Sequence, residues 1–78
     1  MNQTSYTRAE ARAKVGRRVC AQVAVDGIPP GTVGTVARVD RVIDGYDLEI
    51  KWAVPEHRRP VVGWCTKAEY EEAIVELD

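Results

Sequence analysis

The sequence contains no apolar run approaching the roughly 18 residues that a membrane-spanning helix requires, and its opening, Met-Asn-Gln-Thr-Ser-Tyr-Thr, has no apolar signal core. These two absences argue against a membrane partner and lead to the expectation of a soluble, cytoplasmic protein. Cysteine is scarce: Cys20 and Cys65 allow at most one bridge and are expected to be free, buried thiols. With His57 they are the only soft metal ligands, whereas a structural zinc site wants four ligands, usually in close pairs. No metal or cofactor is expected. A nucleophilic thiol needs a base beside it and a third group to orient that base. His57 lies between Pro55 and Pro60 in a polar loop with no such partner evident, so no catalytic residue is assigned. No phosphate-cradling Gly-x-x-x-x-Gly-Lys run occurs, because Gly31 and Gly34 are too close together and no lysine follows. Internal repeats and low-complexity segments are also missing. The net charge of −1 removes any bulk attraction to nucleic acid.

What is present is the composition of one ordinary small domain: 78 residues, 45% apolar and 29% charged. A chain of this size buries only about 60–65% of its unfolded surface, so oligomerisation would add useful stability. Charge is unevenly placed. Arg8, Arg12, Lys14, Arg17 and Arg18 stand against Glu10 near the start, and Glu69, Glu71, Glu72, Glu76 and Asp78 stand against Lys67 near the end. Ends of opposite sign can pair within the chain or between copies, or form two solvated helix faces, which is the expectation.

The stretch Gly31-Thr32-Val33-Gly34-Thr35-Val36-Ala37-Arg38-Val39 organises the rest. Pro29-Pro30 ends any regular element before it, and Gly31 suits a tight turn into a strand. Val33, Thr35, Val36 and Val39 are β-branched, and Gly34 among them marks a bulge, a bend or a close backbone approach. Residues 1–6 read as polar and frayed. Thr7 and Glu10 form a capping box for a marginal helix that stops at Gly16. A first strand is expected over residues 19–25, with Val19, Ala21, Val23 and Val25 inward. The central strand runs to about Ile43, and Asp44-Gly45 signals a type I′ hairpin. In the next strand Tyr46, Leu48, Ile50 and Trp52 face in, while Asp47, Glu49 and Lys51 face out. A short strand, Val61-Val62-Gly63-Trp64-Cys65, leads to a second capping box, Thr66 with Glu69. Tyr70, Ala73, Ile74 and Leu77 then form the apolar stripe of a C-terminal helix.

This grammar of Gly-Thr-Val strand, alternating strand, Val-Val-Gly-Trp-Cys and acidic helix resembles the SH3-like barrels of small accessory proteins. Examples are the photosystem I reaction-centre subunit four family, the β subunit of nitrile hydratase and a nitrogenase-maturation accessory protein. The resemblance covers residues 16–72 and implies a mainly β fold: a small five-stranded barrel over residues 16–78 with a C-terminal helix, preceded by an extension over residues 1–15 with a short helix. It also implies a docking role, since those families mostly bind a partner protein. Type II dihydrofolate reductase, a relative by fold, builds an oligomeric active pore from a Val-Gln-Ile-Tyr segment. Val61-Val62-Gly63-Trp64 stands nearest by position and lacks the glutamine and tyrosine.

The expected function is therefore a non-catalytic module that engages a protein partner or itself. It would do so through the bent strand's edge, the loop carrying His57, Arg58 and Arg59, and Trp64, since aromatic side chains at a barrel rim anchor interfaces; the other expectation for Trp64, and the stronger one, is burial under the C-terminal helix. The alternative is a nucleic-acid-binding module in which Arg38, Arg41, Lys51, Arg58 and Arg59 form a basic stripe beside Trp64. An oligomeric pore enzyme ranks below both.

Overall fold

A computed structural model describes residues 5–77 of the chain. Helix α1 spans Arg8–Lys14, and strands β1 (Arg18–Ala21), β2 (Val33–Val42), β3 (Gly45–Trp52) and β4 (Val61–Cys65) follow. Helix α2 (Lys67–Ala73) then leads directly into β5 (Ile74–Glu76). The protein is mainly β: all five strands are antiparallel and lie in one sheet of order β4-β3-β2-β1-β5. Among the described residues no ladder joins β4 to β5, which end the sheet on either side.

Both helices start where local chemistry places them. Thr7 and Thr66 each accept from the backbone amide three residues on, and Glu10 and Glu69 each accept from the cap amide. Two orphan donors are thereby satisfied at each helix start. Gly16, at φ +93°, turns the chain out of α1, and its amide joins the Val36 carbonyl at 2.8 Å. Few apolar groups hold α1 down, but Ala11 is fully buried against the sheet.

Trp52, Leu48, Ile50, Val19 and Val36 are the largest fully buried side chains and form the centre of the core. Glycines make room for the indole. A Cβ on Gly34, the ladder partner of Trp52, would stand 2.7 Å from Trp52 Cε3 and 2.9 Å from Ile50 Cγ2. One on Gly63 in β4 would stand 3.3 Å from Trp52 Nε1. Of the three meanings open to Gly34, close approach is therefore the one realised. The bulge lies at Ala37, where the β2–β3 register shifts between Val36 and Arg38.

Several expectations are corrected. Strand β1 ends at Ala21, not at residue 25, because the Gln22 amide turns to the Ala73 carbonyl and Val25 pairs with Ile28 in a tight turn of its own. Val23 is consequently exposed. The hairpin turn is Ile43-Asp44, one residue earlier than expected, and Val42 pairs with Gly45. Neither turn residue has positive φ, so the turn is not type I′. Gly45 is needed instead at φ +156°, where a side chain would strike Ser5 and the Tyr6 carbonyl. Tyr6 is buried, not frayed, and exchanges two backbone hydrogen bonds with Tyr46 at 3.0 and 3.3 Å. Residues 1–4 of the stretch expected to fray lie outside the described residues. Finally, α2 stops at Ala73. Ile74 and Val75 are β-branched, and the open edge of β1 accepts them as a strand, pairing Ala21 with Ile74 and Val19 with Glu76. Leu77, the last member of the expected helical stripe, is exposed.

Candidate functional site

The bulge at Ala37 decides which residues reach the outer face of the sheet. Strict alternation from the buried Val36 would turn Arg38 inward. The extra residue instead sets Arg38 opposite Glu49, and Glu49 lies opposite Trp64 in β4. The Arg38 guanidinium meets the Glu49 carboxylate at 3.0 Å. Glu49 was expected to face solvent. It holds the outer face, yet its side chain is only 6% exposed, covered by its two cross-strand neighbours. The next row along the same face holds Lys51, exposed, opposite Val62.

Val62 and Trp64 are the most informative pair on this face. They alternate along β4, stand 43% and 50% exposed, and belong to a strand that ends the sheet, so Trp64 is not buried under the C-terminal helix as expected. Edge β4 thus offers backbone groups without a ladder partner among the described residues, flanked by two large apolar side chains. Strand β2 is interior to the sheet, although beyond Ala37 it is laddered only to β3 among the described residues.

His57, Arg58 and Arg59 are all exposed in the loop over residues 53–60, where the His57 amide closes a turn on the Val54 carbonyl at 3.0 Å. Ala53, Val54 and Pro55 form one wall of this loop and, with Pro29, Pro30 and Thr32, line an apolar groove of about 460 Å³. The proposed cations do not form one stripe. Arg38 is ion-paired, while Arg41 stands opposite Tyr46 on the other face of the hairpin, since residues three apart on a strand point oppositely. Lys51 is on the outer face, and Arg58 and Arg59 project from the loop.

Cys20 is half-buried and Cys65 fully buried, both as free thiols. Burial first, and then Glu69, pushes the Cys65 thiol up to about 12, so it carries no thiolate near neutral pH. Among the described residues no three His, Cys, Asp or Glu side chains gather as a metal site.

One cluster escaped the sequence reading. Glu76 Oε2 accepts from the Tyr70 hydroxyl at 2.7 Å and from Lys14 Nζ at 3.3 Å, and Arg17 Nε lies 3.6 Å away. The oppositely charged ends therefore pair within the chain. The Lys14 ammonium also stands 4.8 Å from the Tyr70 ring centre and 5.4 Å from that of Tyr6, and the two rings meet edge-on. The only prior signal was the excess of cations near the start and anions near the end. The choice of Glu76 depended on β5, which the helical spacing concealed.

No family model, curated protein or solved structure matches this chain.

Proposed function

We propose that the chain is a small non-catalytic docking module, an SH3-like barrel closed beyond its ladders by side-chain packing, acting in the cytoplasm. It takes up an extended segment of a protein partner along edge β4. The observation that carries this reading is the exposure of Val62 and Trp64 side by side on that edge. Added strands bind through backbone hydrogen bonds and draw specificity from alternate side chains. Trp64 supplies the anchor, since tryptophan is enriched among residues that dominate binding energy. Arg58 and Arg59 supply charge at the strand's start. Membrane insertion has no support, as no helix among the described residues is long and apolar enough to cross a bilayer.

The test is affinity capture from the native host with the parent chain and a Trp64→Lys variant, followed by identification of the retained proteins. A partner lost with the variant is the expected result. An identical set retained by both overturns the reading.

A second reading, nucleic-acid binding, draws on Arg58 and Arg59, which have no ion-pair partner among the described residues and are fully available to phosphate. Binding of labelled single- and double-stranded nucleic acid at two salt concentrations tests it: affinity through phosphate contacts falls steeply with salt.

A further inference from the structure

The docking reading leaves the partner open, and the pattern along β4 specifies one. We infer that the segment added to edge β4 is β4 of a second copy, antiparallel, about a two-fold axis through Gly63. This inference rests on the docking reading and names its partner.

A two-fold pairing of identical antiparallel strands needs a self-complementary sequence. With Gly63 on the axis, Val62 of each copy lies opposite Trp64 of the other, so both exposed apolar side chains are covered twice over by one operation. Gly63 facing Gly63 places no side chain at the axis, where the inner side of the strand is already filled by the Trp52 indole. A shift of the axis by one residue would set Trp64 against Trp64, or Val62 against Val62, and leave the other exposed. A β-branched and an aromatic residue across a ladder are a favourable pair.

Charge supports the same antiparallel orientation. It brings the start of one β4, preceded by the exposed Arg58 and Arg59, beside the end of the other, which α2 follows. On α2, Glu72 lies four residues beyond Ala68 and shares its exposed face, whereas Glu71 lines a groove with Tyr6 and Lys67 on the α1 side. Two exposed arginines without ion-pair partners among the described residues thus approach the exposed Glu72, once on each side of the axis. Lys67 does not oppose them, because its ammonium is turned inward, 5.7 Å from the Tyr6 ring centre. Five paired residues alone bury less than the roughly 1,200 Å² of a stable specific interface. The two loop-to-helix contacts enlarge the area, and the dimer still dissociates on dilution.

The test is sedimentation velocity of the full chain over a dilution series, with circular dichroism to verify folding. The weight-average mass should rise from 8.7 kDa toward twice that value with concentration. Trp64→Lys and, separately, Val62→Lys should each hold it at the monomer mass with an unchanged spectrum. Arg58→Glu with Arg59→Glu should also dissociate the dimer, and mixing that chain with one carrying Glu72→Arg should restore association. A parent that stays monomeric throughout overturns self-pairing, while Trp64-dependent capture of a foreign protein still decides the docking reading. A dimer indifferent to both lysine variants, or a charge-swapped mixture that stays monomeric, overturns this register.

Discussion

Gly34 and Trp52 are ladder partners on β2 and β3, and the indole lies where a Gly34 side chain would be. The obstruction comprises Trp52 Cε3 at 2.7 Å, Ile50 Cγ2 at 2.9 Å and the Lys51 carbonyl at 3.1 Å. Two of these belong to the fully buried core and one is backbone, so none can swing aside. Gly34→Ala should therefore cost about 2 kcal/mol, typical of overpacking a tight core. Denaturant unfolding measures this. Combining it with Trp52→Leu should give a loss smaller than the sum of the two single losses, because the smaller side chain relieves the clash.

Gly45→Ala should act at a distance in sequence. The new methyl displaces Ser5 and Tyr6, whose backbone pairs with Tyr46. Hydrogen exchange should rise selectively at the Tyr6 and Tyr46 amides while that of Ile50 changes little. Uniform loss of protection across the sheet would show that the segment holding Tyr6 is integral to the whole fold.

Glu76 and Asp47 should give pH dependences of opposite sign. The Tyr70 hydroxyl, and then Lys14, hold the Glu76 carboxyl below the usual carboxylate range. A depressed folded pKa contributes stability that is present above the ordinary value of 4.5 and lost as pH falls through the folded value. Glu76→Gln should thus cost about 1 kcal/mol at neutral pH, for one charge-assisted hydrogen bond and partly screened ion pairs. The difference from the parent should vanish in acid, as denaturant midpoints across pH would show.

Asp47 behaves in the reverse sense. Burial, and then Asp40 directly across the ladder, push its carboxyl above the ordinary 3.8. Its charge disfavours the fold once pH rises through the raised value, and the penalty is absent below the ordinary one. Asp47→Asn should stabilise by about 0.5 kcal/mol at neutral pH, the scale of a like-charged cross-strand pair. A gain of equal size in acid would remove charge as the cause.

Arg38→Ala should cost about 1–3 kcal/mol, because it strips the partner from a carboxylate that is 6% exposed. Arg38→Ala with Glu49→Leu should recover most of the loss. If Arg38 instead contacts phosphate, the single variant would weaken nucleic-acid binding while leaving unfolding unchanged.

Features decided by neighbouring residues were legible in the sequence. Both capping boxes, the stop at Gly16 and the buried faces of Leu48, Ile50 and Trp52 follow from spacing alone. Features decided by a distant partner were not. Ile74, Val75 and Glu76 fit a helical stripe and a strand equally, and the open edge of β1 chose between them. Gly34 announced a special position, but only Trp52 across the ladder says which kind. Tyr6 was one aromatic in a polar stretch until Tyr46 gave its backbone a mate. Of the candidate site, Lys51 was readable as an outward residue, whereas Trp64 was as readily placed under the C-terminal helix, and only the position of β4 at the end of the sheet leaves it exposed. The grouping of Arg38 with Arg41 failed on strand parity, and the burial of Glu49 followed from a bulge that Ala37 does not advertise.

Strand β1 has a consequence for how the protein is made. Its second edge is filled by β5, which is translated only after residues 22–73. Until then the nascent polypeptide presents an unfinished border on the ribosome, and the cations of α1 wait without Glu76. Completion of this edge therefore waits for residues 74–76, and a stalled or truncated product lacking them would expose a strand ready to capture a neighbouring chain.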